Sequence, residues 1–106
     1  MPSTHDRAAV EVTQQYLAGE LSVLLAQLHA AAGNQAYAGE IARLRQRAES
    51  VPITELPSVA ARALQLTDAA CWESLSTADI TAFTHQAAIG AQLREFGICS
   101  RLLTEA

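Results

Sequence analysis

The stretch DITAFTHQAAIGAQLREFGICSRLLTEA, residues 79–106, decides the fold that this sequence predicts. Its apolar residues recur at helical spacing on two opposite sides, which predicts one long helix with two apolar faces. A surface helix normally carries a single apolar stripe, so a second stripe indicates that another element packs on the outer side as well. The first face consists of Ile80, Phe83, Ala87, Ala91, Ile98 and Leu102. The second face consists of Ala82, Ile89, Leu93, Phe96 and Leu103.

The N-terminal part of the chain repeats this pattern. Capping side chains at Ser3 and Thr4, and the Gly33-Asn34 pair, predict a helix that ends at about Ala32. Its stronger stripe consists of Val10, Leu17, Leu21, Leu24 and Leu28. A weaker stripe on the opposite side, at alternating spacings of three and four, consists of Val12, Tyr16, Gly19, Val23, Ala26 and Ala30.

The middle of the chain predicts two further helices. A helix over about residues 35–50 has one apolar stripe, as an ordinary surface helix does. The linker at residues 51–57 contains two prolines, which exclude a regular helix there. An alanine-rich helix follows over about residues 58–75, and the turn at residues 74–79 leads into the last helix.

Length and composition favour a single all-α domain over residues 1–106. Half of the 106 residues are hydrophobic but only 5% are aromatic, and alanine, the best helix former, is abundant. Short connections make consecutive helices antiparallel, so the sequence predicts a four-helix bundle with the order long, short, medium, long. A core of leucine and alanine buries only a modest apolar area per residue, so the monomer alone is expected to be marginally stable. We therefore expect a homodimer that pairs the second stripes of the first and last helices.

The charge argues against a nucleic-acid partner. The net charge is −4, whereas neutralisation of phosphates needs a basic face. Arg43, Arg45 and Arg47 point in different directions on a helix and are flanked by Glu40 and Glu49, so they indicate a solvated surface. All seven basic residues are arginine, which is typical of a GC-rich bacterial genome.

Neither a membrane nor an oxidising compartment is predicted. Residues 1–12 lack the basic start and apolar core of a signal peptide. The most apolar window, residues 21–32, is interrupted by polar side chains and is too short to span a bilayer. Cys71 and Cys99 are 28 residues apart and form neither a CxxC motif nor a disulfide framework. We expect a cytoplasmic protein with reduced thiols.

No motif for catalysis, a cofactor or a metal emerges. His29 and His85 could converge from different helices, but no HxxxH, ExxH or CxxC sequence completes a zinc ligand set. Buried structural roles suit the two cysteines better than a nucleophilic one, because no partner base is evident. The sequence predicts no catalytic residue, no cofactor and no metal.

Five residues are candidates for binding a ligand or a partner. Trp72 falls on the polar side of the third helix, where it either binds a partner or folds back over the linker around Ile53 and Leu56. The other four could line a cleft between helices: Tyr16, His85, Gln92 and Phe96.

Two glycines within the last helix need an explanation. Gly90 and Gly97 each lower helix stability by roughly 1 kcal/mol relative to alanine. A close helix crossing would account for them, and a kink at Gly97 is the alternative.

Taken together, these patterns favour a non-enzymatic protein–protein interaction or regulatory module, a small acidic helical homodimer that binds another protein. A helical bundle that binds a small molecule in an apolar cleft is the alternative. An enzyme is the least favoured class.

Overall fold

The computed structural model describes the backbone of residues 4–33 and 35–105, and the side chains of residues 15–33, 35–52 and 54–102. Within the described backbone there are four α-helices and no strand, which confirms the all-α class. The helices are α1 (Thr4–Ala32), α2 (Ala38–Ser50), α3 (Leu56–Ser76) and α4 (Ile80–Glu105), and a short 3-10 helix, Ile53–Glu55, precedes α3.

The helix α2 begins three residues later than the sequence predicts. Gly33 has a positive φ of 56°, which ends α1 in the left-handed conformation. The Gln35 amide then donates to the Ala32 carbonyl at 2.9 Å, and the Ala38 amide donates to the Gln35 carbonyl at 3.2 Å. These turn-type bonds keep Gln35 out of the helix and direct its side chain towards α3.

The turn between α3 and α4 is closed by local hydrogen bonds. Asp79 caps α4, since the Ala82 amide donates to its Oδ1 at 3.1 Å. Ser76 and Thr77 donate their hydroxyls to carbonyls at the end of α3. Ala78, between Thr77 and Asp79, adopts the left-handed backbone conformation with a φ of 59°.

One apolar cluster takes residues from all four helices. The stronger predicted stripe of α1 is buried in it wherever its side chains are described, and so are Ile89, Leu93 and Phe96 from the second face of α4. Val10, Val12 and Leu103 lie outside the described side chains. From α2 and α3 the cluster takes Ile41, Leu44, Ala48, Leu56, Val59, Ala60, Ala63 and Leu66.

The molecule is slender, so each helix has a side turned away from the core. Its extents are 55 × 21 × 16 Å, and a helix with its side chains is about 10–12 Å wide. The two short extents therefore accommodate two helices in each direction. Although α1 and α4 are long, no helix in the described part of the chain is apolar enough over sufficient length to cross a membrane.

The two glycines of α4 have different surroundings. A Cβ on Gly90 would lie 3.2 Å from Thr67 Cγ2 and 3.9 Å from Leu64 Cδ1, so α3 and α4 approach closely at this point. A Cβ on Gly97 would meet nothing within 4 Å. The helix continues unbroken through Gly97 to Glu105. Close packing thus accounts for Gly90 but not for Gly97, which has no packing reason in the structure.

A buried polar cluster joins α1, α3 and α4 at one end of the molecule. Gln86 is fully buried, and its Nε2 donates to the Ala31 carbonyl at 3.1 Å and to Gln35 Oε1 at 3.0 Å. Ser74 Oγ donates to Gln86 Oε1 at 2.7 Å, and Gln35 Nε2 donates to Ser74 Oγ at 3.0 Å. No buried side-chain nitrogen or oxygen among the described residues lacks a partner. The cluster is therefore fully hydrogen-bonded, as stable buried networks are.

This polar cluster is not among the features that the sequence predicts. Gln86 lies three residues before Ile89 and seven before Leu93, which is core spacing on a helix. The position of Gln86 on the same helical face as these apolar residues was the signal in the sequence that it is buried. Gln35 could not be found in the same way, because it lies in a turn whose shape depends on Gly33.

Replacement of Gln86 by alanine is expected to destabilise the fold strongly. The substitution leaves the buried Ser74 and the half-buried Gln35 and Ala31 carbonyl short of a partner, and an unsatisfied buried group costs about 1–3 kcal/mol. We expect the free energy of unfolding to fall by about 2 kcal/mol or more, measured by urea denaturation. Gln92→Ala, on an exposed side of the same helix, is the control and should leave it nearly unchanged. Equal effects of the two substitutions would contradict this role of Gln86.

Candidate functional site

The helix α4 exposes the first of its two predicted apolar faces. The second face, which the sequence analysis expected to pair in a dimer, is instead buried in the core wherever its side chains are large and described. We call Ile80, Ala87, Ala91, Ile98 and Leu102 the α4 outer face. All five are exposed, and the three large side chains retain between 58% and 64% of their accessible surface. Phe83, predicted on the same face, is half-buried. Large apolar side chains in a row on one helix are the usual mark of an interaction surface.

The helix α1 has a corresponding surface. We call Tyr16, Gly19, Val23, Ala26 and Ala30 the α1 outer face. Tyr16 is 66% exposed and Val23 is 57% exposed, whereas Ala26 is half-buried. The opposite side of the helix is the buried leucine stripe. Both long helices are thus apolar towards the core and towards solvent.

A groove follows the contact between α1 and α4. Its two parts have volumes of about 350 Å³ and 450 Å³, and they share Gln27 and Gln92. In the smaller part the other lining residues are Leu17, Glu20, Val23, Leu24, Glu95, Phe96 and Cys99. In the larger part they are Ala30, Ala31, His85, Ala88 and Ile89. We call the whole feature the α1–α4 groove.

The α1–α4 groove combines an apolar floor with acidic and amide side chains. Leu17, Leu24 and Phe96 are buried at the bottom of the smaller part. Glu20 and Glu95 are exposed, and no arginine lines either part. The groove is therefore suited to apolar groups that carry a positive charge.

Three of the five candidate residues meet in this groove. His85 lines the larger part, Phe96 lines the smaller part, and Gln92 lines both. Tyr16 belongs to the α1 outer face and lines neither part. Glu20, Gln27 and Glu95 were not among the candidates, because their convergence depends on how α1 and α4 pack together.

Trp72 lies apart from the groove, on α3. It is 72% exposed, so the alternative in which it folds back over the linker is not what the structure shows. Leu56, predicted in that linker but in fact the first residue of α3, is fully buried in the core cluster. Trp72 and Leu75, which is also exposed, form a separate apolar spot near the end of α3.

The residues that could bind a metal or act as nucleophiles are dispersed. His29 lines a different groove, between α1 and α2, with Arg45 and Glu49, and so does not converge with His85. No three His, Cys, Asp or Glu side chains come together within the described part of the chain as a metal ion would require.

The two cysteines differ in environment. Cys99 is exposed beside the α1–α4 groove, and Cys71 is half-buried on α3. Burial raises the pKa of the Cys71 thiol, and the carboxylate of Asp68 raises this pKa further. Because the thiolate is the reactive form, Cys71 is a poor nucleophile at neutral pH.

Asp68→Asn is expected to accelerate alkylation of Cys71. Loss of the carboxylate removes one of the two causes that raise the thiol pKa, so the thiolate fraction at pH 8 increases. Burial, the larger cause, remains, so Cys71 should still react more slowly than Cys99. Iodoacetamide labelling followed by peptide mass spectrometry measures both rates in one sample, with Cys99 as the internal control. An unchanged Cys71 rate would contradict the contribution of Asp68.

Comparison with known proteins supplies no relative. No protein-family model, no curated protein and no solved structure matches this chain. The assignment of a function therefore depends on the geometry of the α1–α4 groove and of the two outer faces.

Proposed function

We propose that this protein is a non-enzymatic protein–protein interaction module that acts as a homodimer. The observation that carries the proposal is the row of exposed large apolar side chains on the α4 outer face, together with Tyr16 and Val23 on the α1 outer face. When a partner covers these exposed apolar side chains on the two longest helices, the free energy of the system falls, because apolar surface is removed from water. The first and last helices then form the dimer interface, and the module binds another protein in a regulatory or assembly role.

The proposal includes an antiparallel four-helix bundle as the scaffold. Ala31, at the end of α1, contacts Gln86 near the start of α4, whereas Leu17 lines the groove with Cys99 near its end. These contacts support opposite directions for α1 and α4. Ser74 and Gln86, close to the turn between α3 and α4, support the same relation for that pair.

A cytoplasmic location belongs to the same proposal. Cys71 and Cys99 are both free, and reduced thiols are usual in the cytoplasm.

The dimer is tested by sedimentation of the wild type and of charged variants. We expect the mass of two chains at micromolar concentration. Val23→Glu and Ile98→Glu each place a carboxylate in the interface without a partner. Each should weaken dimerisation by about 100-fold or more, since an uncompensated buried charge costs several kcal/mol.

Gln46→Glu, which adds the same charge to the exposed side of α2, is the matched control and should leave the dimer intact. A wild-type protein that sediments as a monomer throughout the micromolar range would overturn the dimer. Circular dichroism verifies that each variant remains helical.

The second candidate function is the binding of a small molecule in the α1–α4 groove. The observation that favours it is that Gln92 and Phe96 line the smaller part of the groove with Glu20 and Glu95, while His85 and Gln92 line the adjoining larger part. The ligand class that fits is an apolar molecule with a positive charge.

Native mass spectrometry of the freshly purified protein tests this candidate. We expect a bound species that disappears in the Glu20→Gln/Glu95→Gln variant and remains in the Glu49→Gln control on α2. Spectra that show only the protein, from wild type purified without extensive dialysis, would count against this function.

A further inference from the structure

Four of the five residues of the α4 outer face, all except Leu102, have the same spacing when they are followed from either end. From Ile80 the steps are seven residues to Ala87, four to Ala91 and seven to Ile98. Two large side chains therefore lie at the ends and two small ones in the middle, symmetric about the level of Ile89. At 100° per residue the four positions lie within about 40° of one another around the helix. All four are exposed.

We infer that a second copy of this chain docks on this face, with its α4 antiparallel to the first and a two-fold axis at the level of Ile89. Ile80 then packs on Ile98 of the second copy, and Ala87 packs on Ala91 of the second copy. The inference rests on the proposed homodimer and specifies which residues meet in it.

The symmetry of the face is what identifies the occupant. A closed dimer uses the same patch on both subunits, so each residue of the patch must fit the residue that the two-fold axis brings opposite to it. Alanines near the axis allow the two helices to approach closely. Isoleucines about 13 Å from the axis then close both ends of the contact. A partner without this spacing would not gain the four matched contacts.

The charges at the edge of the face favour the antiparallel direction. Arg94 lies beside Ile98, where both line a shallow cleft between α3 and α4. A parallel pair of α4 helices would place the two Arg94 side chains at the same level, where like charges repel. The antiparallel pair separates them by ten residues, about 15 Å along the axis. It also opposes the two helix dipoles, which is the favourable orientation.

The neighbouring residues of α3 extend the contact at both ends. Leu75 is 45% exposed at the end of α3, five residues before Ile80, and is available to Ile98 of the second copy. At the other end, Ile98, Pro57 and Leu64 line the shallow cleft between α3 and α4, whose volume is about 160 Å³. This cleft can receive Ile80 of the second copy. The surface on α3 is therefore continuous with the symmetric face.

Site-directed cross-linking tests the register. In a Cys71→Ser/Cys99→Ser background, Ile80→Cys and Ile98→Cys chains with different tags are co-expressed and oxidised. We expect a disulfide between the two kinds of chain. Either variant alone should give none, because two copies of residue 80 are about 27 Å apart and a disulfide needs a Cα distance below about 7 Å. A disulfide formed by Ile80→Cys alone would show a parallel pair and overturn the inference.

A charge placed near the axis provides the second test. Ala91→Glu should weaken dimerisation by about 100-fold, whereas Gln46→Glu, on the exposed side of α2, should not. If the dimer persists in Ala91→Glu, or if no mixed disulfide forms, the antiparallel register is wrong but the proposed homodimer is not contradicted. A wild type that is monomeric in the same sedimentation series overturns the proposed homodimer and this inference with it.

Discussion

The fully buried Gln86 is the constraint on which the orientation of α4 depends. A helix with two apolar faces can pack with either face inwards, so apolar burial alone does not determine which one is exposed. Gln86 removes the ambiguity, because only one rotation of α4 brings its amide to Ser74, Gln35 and the Ala31 carbonyl. Any other rotation would bury the amide without partners or leave these groups unsatisfied. The polar cluster thus selects the outer face as well as the inner one.

The α1–α4 groove follows from the same constraint. With Gln86 bonded to the Ala31 carbonyl, His85 and Gln92 come to lie on the flank of α4 that faces α1. The close approach at Gly90 fixes the opposite flank against α3. Between these two contacts α4 has little freedom to rotate, so the outer face is held in one orientation before any partner arrives. A preformed surface of this kind binds without the entropic penalty of ordering.

The apolar periodicity of this sequence was sufficient for the number of helices and for the two apolar faces of α1 and α4, because it follows directly from 3.6 residues per turn. It did not determine which face of α4 is buried, because that choice depends on the hydrogen-bond partners of Gln86. It placed Leu21 in the stronger stripe of α1, which the structure buries. It did not place Gln35, since a turn that depends on a left-handed glycine has no periodic signal. Nor could it predict that Glu20 of α1 lies in the same groove as Gln92 and Phe96 of α4. That arrangement depends on how far α1 is shifted along its axis relative to α4, and these helices lie at opposite ends of the sequence. Trp72 was recognisable as unusual from its polar neighbours, whereas its exposure required the structure.

The slender cross-section has a consequence for how such a protein can change over evolutionary time. In a thick globule many surface residues also support the packing of a second layer beneath them. Here the residues that determine the fold form a narrow strip on each long helix, and the residues turned to solvent form another strip on the opposite side. Substitutions in the outer strip do not disturb the inner one, as Tyr16 and Leu17 illustrate by being exposed and buried next to each other. The exposed surface of such a scaffold can therefore change in sequence while its stability and its chain topology are preserved.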